Sequence, residues 1–101
     1  MAVRGTTVSA KAYTTDETDI LEVQCPHTSK RGVFFTVYPS TVGTAKVYYK
    51  DPSGTYRLFR TEAASADDLL TIAIAYPLSE MKLTYEGTSS GGTVNAEGRG
   101  H

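Results

Sequence analysis

The sequence predicts an all-β fold, an antiparallel β-sandwich of seven to eight short strands with jelly-roll or immunoglobulin-like connections. Three observations carry the prediction. Apolar residues recur with a period of two in short runs rich in β-branched and aromatic side chains. Turn-forming residues punctuate those runs about every eight to twelve positions, the spacing of sandwiches and small barrels. The one helical candidate, residues 62–68, is too short and too poorly patterned to pack as a helix, and reads as a loop. The chain has 101 residues, 40% apolar and 21% charged. That suffices for one core of ordinary thickness, so residues 1–101 are read as a single domain.

Residues 6–13 alternate Thr7, Ser9 and Lys11 with Val8, Ala10 and Ala12, a weak strand with one polar face. The longer polar segment around it, residues 1–18, has as its alternative reading an N-terminal arm extended along a neighbour. After the acidic break at Asp16 and Glu17, residues 20–25 form a strand with Leu21, Val23 and Cys25 on one face, closed by Pro26, which offers no N–H to a ladder. Residues 33–38 carry apolar side chains on both faces up to Pro39, as a central strand does.

Asp51-Pro52-Ser53-Gly54 is the most specific local signal. Asp opens type I turns, Pro presets φ at the next position, and Gly tolerates the left-handed conformation at the end. A four-residue loop pairs Lys50 with Thr55, Tyr49 with Tyr56 and Val47 with Leu58. It leaves Lys46, Tyr48, Arg57 and Phe59 on the opposite face. A three-residue loop with a bulge at Gly54 slips that register by one. Residues 69–75 place Leu70, Ile72 and Ile74 on one face; residues 80–86 place Met81, Leu83 and Tyr85 inward and Lys82, Thr84 and Glu86 outward. Residues 87–92 read as a flexible hairpin turn into a short return strand, residues 93–98.

Ten Lys and Arg against eleven Asp and Glu leave no field to draw in nucleic acid or an anionic membrane, so neither is an expected partner. A single cysteine, Cys25, excludes an internal disulfide framework. No apolar leader follows Arg4, and no stretch approaches the roughly 20 apolar residues that span a bilayer. Synthesis in the cytoplasm is the expectation.

Cys25 and His27 stand two positions apart, as metal ligands or a nucleophile with its base would. A four-coordinate site needs two further ligands and the other histidine is His101, while a catalytic pair needs an orienting third group. Cys25 is therefore read as a small core residue and His27 as a solvated turn residue. Asp16-Glu17 and Asp67-Asp68 lack calcium-loop spacing and read as solvated loop charges. Lys30-Arg31 and Arg57 with Arg60 are too sparse for a phosphate-tracking stripe, and the glycines of residues 87–92 precede no helix. Catalytic, metal and cofactor residues are all expected to be none, and an enzyme is not expected. The chemistry of this chain then lies in surfaces. Seven tyrosines and three phenylalanines supply them, about half being needed for the core. Lys46, Tyr48, Arg57 and Phe59 are the interface candidates. The rival arrangement is a carbohydrate-binding or adhesion module with Tyr48, Tyr49 and Tyr56 as a sugar-stacking platform.

Two segments carry a resemblance. Residues 47–58, Val-Tyr-Tyr-Lys-Asp-Pro-Ser-Gly-Thr-Tyr-Arg-Leu, resemble the strand, Asp-x-x-Gly turn and aromatic-bearing strand of small bacteriophage structural proteins, with Tyr56 where Trp often stands. Residues 81–96 look like their closing pair, an alternating strand, a Gly/Ser/Thr turn and a short return. The likeness spans about residues 33–98. It implies a non-enzymatic virion accessory subunit, a capsid decoration or cement protein or a head or tail appendage. Such a subunit reaches the virion after synthesis in the host cytoplasm. It binds copies of itself, often as a trimer, and a major capsid or other virion protein, and it needs no cofactor.

Overall fold

The computed structural model describes residues 5–23, 33–74, 80–89 and 91–100. Among them run eight strands: β1 (Gly5–Tyr13), β2 (Thr18–Val23), β3 (Val33–Pro39), β4 (Gly43–Lys50), β5 (Tyr56–Ala64), β6 (Leu70–Ile74), β7 (Met81–Gly87) and β8 (Gly92–Gly100). They form two four-stranded antiparallel sheets in the orders β1-β8-β3-β6 and β2-β7-β4-β5. The first strand pairs with the last, the second with the seventh, the third with the sixth and the fourth with the fifth. The chain is thus one long doubled ribbon rolled over on itself, with the β3–β8 and β4–β7 ladders completing the sheets. This is the jelly-roll order, which selects between the two sandwich connectivities that the sequence left open.

The alternation read in β6 and β7 holds. Ile72 and Ile74 are buried with Leu70 beside them, and Met81, Leu83 and Tyr85 face inward. β3 is central, between β8 and β6, but buries only one face: Val33, Phe35 and Val37 lie in the core while Phe34 and Tyr38 are exposed. Its continuous apolar run reflects a sheet with an open outer side, not a strand covered on both sides.

Three expectations are corrected. Residues 5–13 form β1, as the strand reading of residues 6–13 has it, and this part of the 1–18 segment is hydrogen-bonded along β8 as an edge strand instead of extending as an arm. The hairpin read across residues 87–92 is not formed: β7 and β8 lie in different sheets and do not pair. The connection crosses between the sheets, and β8 is a nine-residue strand seated between β1 and β3. Gly/Ser turn chemistry suits a crossing as well as a hairpin. What fixes β8 in place is its inward row of Val94, Ala96 and Gly98. A Cβ on Gly98 would lie 2.9 Å from a Leu21 methyl and 3.0 Å from the Phe35 ring, so the sheets approach over this glycine. Finally, of the two hairpin registers the slipped one is found. Lys50 pairs with Tyr56, Tyr49 with Arg57 and Tyr48 with Leu58.

The reason lies in the turn. Gly54 N–H donates to Asp51 O and Asp51 N–H to Thr55 O, both at 2.9 Å, and Gly54 has φ +89°. This is a type I turn closed by a glycine bulge, so Thr55 is spent on the turn. The Asp51 carboxylate accepts from Ser53 N, Ser53 Oγ and Thr55 N at 2.6–3.0 Å, and from Arg57 Nε at 2.8 Å. Those bonds, first from Ser53 and then from Arg57, hold its pKa well below the usual carboxylate range.

At one end of the core the Tyr13 and Tyr85 rings meet edge to face, 4.6 Å between centroids. Tyr85 Oη donates to Thr41 O at 2.8 Å, and Thr41 N donates to Tyr13 Oη at 3.0 Å. Three glycines leave room for the rings. A Cβ on Gly43 would come 2.7 Å from Tyr85, one on Gly87 2.6 Å from Tyr13, and one on Gly92 would meet the Tyr13 hydroxyl. Gly87 and Gly92, which read as turn residues, are thus with Gly43 the walls of an aromatic pocket.

Candidate interaction surface

The four predicted interface residues do not share a face. Cross-strand partners point the same way, so Tyr48, paired with Leu58, lies on the outer face of β2-β7-β4-β5 with Lys46, while Arg57, paired with Tyr49, lies on the inner side at the hairpin end. Phe59 is the extra residue of a bulge between the Tyr48–Leu58 and Val47–Arg60 pairs, and its ring meets Tyr49 edge-on at 6.2 Å. The bulge turns Phe59 away from the face that plain alternation assigned to it. The proposed sugar platform divides in the same way: Tyr48 and Tyr56 face out and Tyr49 packs against the core. Cys25, His27, Lys30, Arg31 and His101 lie outside the described residues.

Lys46 and Tyr48 belong to a continuous polar network on that outer face. Glu17, which read as a solvated loop charge, reaches over β7 and β4. Its carboxylate accepts from Thr84 Oγ1 at 2.6 Å and from the Tyr48 hydroxyl, with Lys46 Nζ 3.9 Å away. Thr84, placed outward by alternation, is buried beneath it. Burial pushes the Glu17 carboxyl up, but the hydrogen bonds from Thr84 and Tyr48 and the charges of Lys46 and Lys82 outweigh it and leave its pKa lowered. Burial, then the bond to Glu17, pushes the Tyr48 phenol up to about 12. Lys82 Nζ sits 5.4 Å from the Tyr48 centroid and 4.5 Å from that of Tyr56, and 3.4 Å from Asp19. Tyr56 Oη donates to Glu22 at 2.8 Å, Lys46 pairs with Glu86 at 3.4 Å and Lys50 with Glu80 at 3.0 Å. The cations and aromatic hydroxyls of this face are therefore spent on its own carboxylates.

The opposite face, outside β1-β8-β3-β6, is different, and sequence reading missed it. Phe34 stands beside Arg99 on β8 and Ala73 on β6, Thr36 beside Glu97 and Thr71, and Tyr38 beside Asn95. Phe34 is 38% and Tyr38 43% exposed. Arg99 Nη2 and Glu97 pair at 2.6 Å, and Asn95 Oδ1 accepts from Ala10 N at 2.7 Å. The signal for this face was Thr36: a polar residue midway between two aromatics marks their side as open to solvent.

All four edge strands carry a device that spoils strand addition. Register slips interrupt β1 between Val8 and Lys11, β2 between Asp19 and Leu21, and β5 at Phe59. The slip in β2 is why Ile20 and Leu21 are both buried. On β6, Arg60 Nη1 donates to Ala73 O at 3.1 Å. Arg60 thus guards an edge and is no part of a phosphate stripe.

No protein-family model matches the sequence, and no curated protein matches it. Solved structures do share its fold. PirA superposes with a TM-score of 0.60 at 10% identity, covering 98% of this chain and 93% of that one. The SPBc2 prophage-derived protein YomS gives 0.55 at 18% identity over 99% and 95%. A chain of the Bacillus endospore appendages, disulfide-linked pili, gives 0.54 at 12% identity over 96% and 85%. At these identities the likeness is one of fold, with a prophage-derived protein and a pilus subunit among the structures sharing it.

Proposed function

We propose that this chain is a non-enzymatic structural subunit of a bacteriophage particle, a capsid decoration or cement protein or a head or tail appendage, that acts by protein–protein contacts. The observation that supports it best is the match to YomS, which runs nearly end to end in both chains. The likeness to a pilus subunit agrees with a place in an assembled structure. The surface chemistry fits the role. One face is closed by its own ion pairs, the edges are blocked, and the other face offers an aromatic and hydrogen-bonding surface to a protein partner. Many weak copies on a lattice then add by multivalency, which stabilises a particle without any strong single contact. Copies of the same chain and a major particle protein are the partners in this reading, and the virion is its location.

Co-sedimentation of the purified protein with phage particles tests the reading, alongside a glycan array. Saturable binding to particles and none to glycans is expected. Retention of an oligosaccharide with no binding to any particle would replace it with the carbohydrate-binding alternative.

A further inference from the structure

The outer face of β1-β8-β3-β6 has a chemical pattern that complements itself. Down its centre, β3 presents Phe34, Thr36 and Tyr38, and β8 presents Arg99, Glu97 and Asn95 directly opposite them. The two columns differ in kind. One is aromatic and hydroxyl-bearing; the other is a cation, an anion and an amide. A two-fold axis laid between them, parallel to the strands, exchanges the columns between two copies of the chain. Each Arg99 then lies over the partner's Phe34 ring, each Glu97 reaches the partner's Thr36 hydroxyl, and each Asn95 NH2 meets the partner's Tyr38. The amide NH2 is open to that contact because Ala10 uses only the Asn95 oxygen. Arg99 and Glu97 already pair within each copy, so the face carries no net charge from these two and two copies meet without repulsion.

The other routes to self-association are obstructed. Strand addition meets a bulge on β1, β2 and β5 and the Arg60 cap on β6. The outer face of β2-β7-β4-β5 has committed its lysines to its own carboxylates. We infer that this chain forms a two-fold dimer through the β3 and β8 columns of the β1-β8-β3-β6 face, the occupant of that face being a second copy. This rests on reading the chain as an assembling subunit and names the contact by which it assembles; it replaces the three-fold arrangement that the resemblance implied with a two-fold one. Four strands about 4.8 Å apart and about six residues long give a plane on the order of 20 by 20 Å, about 400 Å² per copy against roughly 800 Å² per partner in a standard interface, so the dimer is weak and concentration-dependent.

Sedimentation equilibrium on the free protein tests this without any particle. The wild type is expected to shift from 10.9 kDa towards twice that mass, with a Kd on the order of tens to hundreds of micromolar. Thr36→Arg and Phe34→Asp, both on a solvent-facing side, are expected to weaken dimerisation at least tenfold while circular dichroism stays unchanged. Leu58→Asp, on the other sheet, is expected to leave it intact. A protein that stays monomeric to about 1 mM overturns the inference, as does a dimer broken by Leu58→Asp and not by the face variants. If the monomer binds particles and Thr36→Arg abolishes that binding, the face belongs to the particle protein. The dimer is then refuted while the proposed function survives.

Discussion

Ala10 holds φ +51° within β1, a left-handed conformation that costs an L-residue with a Cβ roughly 1–2 kcal/mol. The bulge that needs it is fastened by Asn95. Ala10→Gly removes the clash but frees the unfolded chain, so the net gain is about 0.5–1 kcal/mol, seen as a rise in Tm of about 2–8 °C. Two carboxylates contribute to the acid sensitivity of the fold. Asp51 and Glu17 are both held below their ordinary values. Their contribution is complete only above about pH 5, above both unfolded values, and is lost as pH falls through the lowered folded values. Denaturant midpoints measured from pH 5 down to pH 2 therefore fall steadily, and Asp51→Asn flattens part of that slope. Phenols define the alkaline limit. Tyr48 and Tyr85 are raised to about 12, both first by burial, and Tyr56 is raised as well by burial and Glu22. Their stabilisation is full below about pH 10 and lost as pH climbs towards those values. In a native ultraviolet titration, fewer than the seven tyrosines ionise near pH 10, and the rest follow with unfolding.

Strands announce themselves by alternation, and the faces of β6 and β7 were legible for that reason: Ile72 and Ile74, and Met81, Leu83 and Tyr85, all face the core. Alternation says which side of a strand is wet and does not say which strand lies beside it. The pairing of β8 with β1 and β3 was hidden because Gly91 and Gly92 look the same before a crossing as before a hairpin. The bulges were hidden as well, since an inserted Ile20 or Phe59 is one more apolar residue until its partners are known. The candidate surface inherited both errors. Phe59 was placed on the wrong face by an uncounted bulge, and Glu17 was read as solvated because nothing local links it to Thr84, 67 positions away. The glycine walls show the same limit at the scale of packing. Gly92→Ala drives a methyl into the Tyr13 hydroxyl and is expected to cost about 1–3 kcal/mol in urea denaturation. At Gly54 the added Cβ meets nothing within 4 Å, so Gly54→Ala costs about 1–2 kcal/mol through its positive φ alone.

On the scale of the whole molecule, the sandwich carries two chemically different outer faces. The β2-β7-β4-β5 exterior binds its own charges, and the β1-β8-β3-β6 exterior keeps Phe34, Thr36 and Tyr38 open. A chain with blocked edges and one open face is suited to sit on something or against itself, and the place proposed for it is a phage particle. Copy number is the most direct test of that proposal, because a cement or appendage subunit is a stoichiometric component. Phage particles purified by density gradient from cells carrying this gene, analysed by quantitative mass spectrometry, are expected to contain the chain in a fixed ratio to a major structural protein across preparations. Particles that form and infect normally without any trace of the chain would contradict the account.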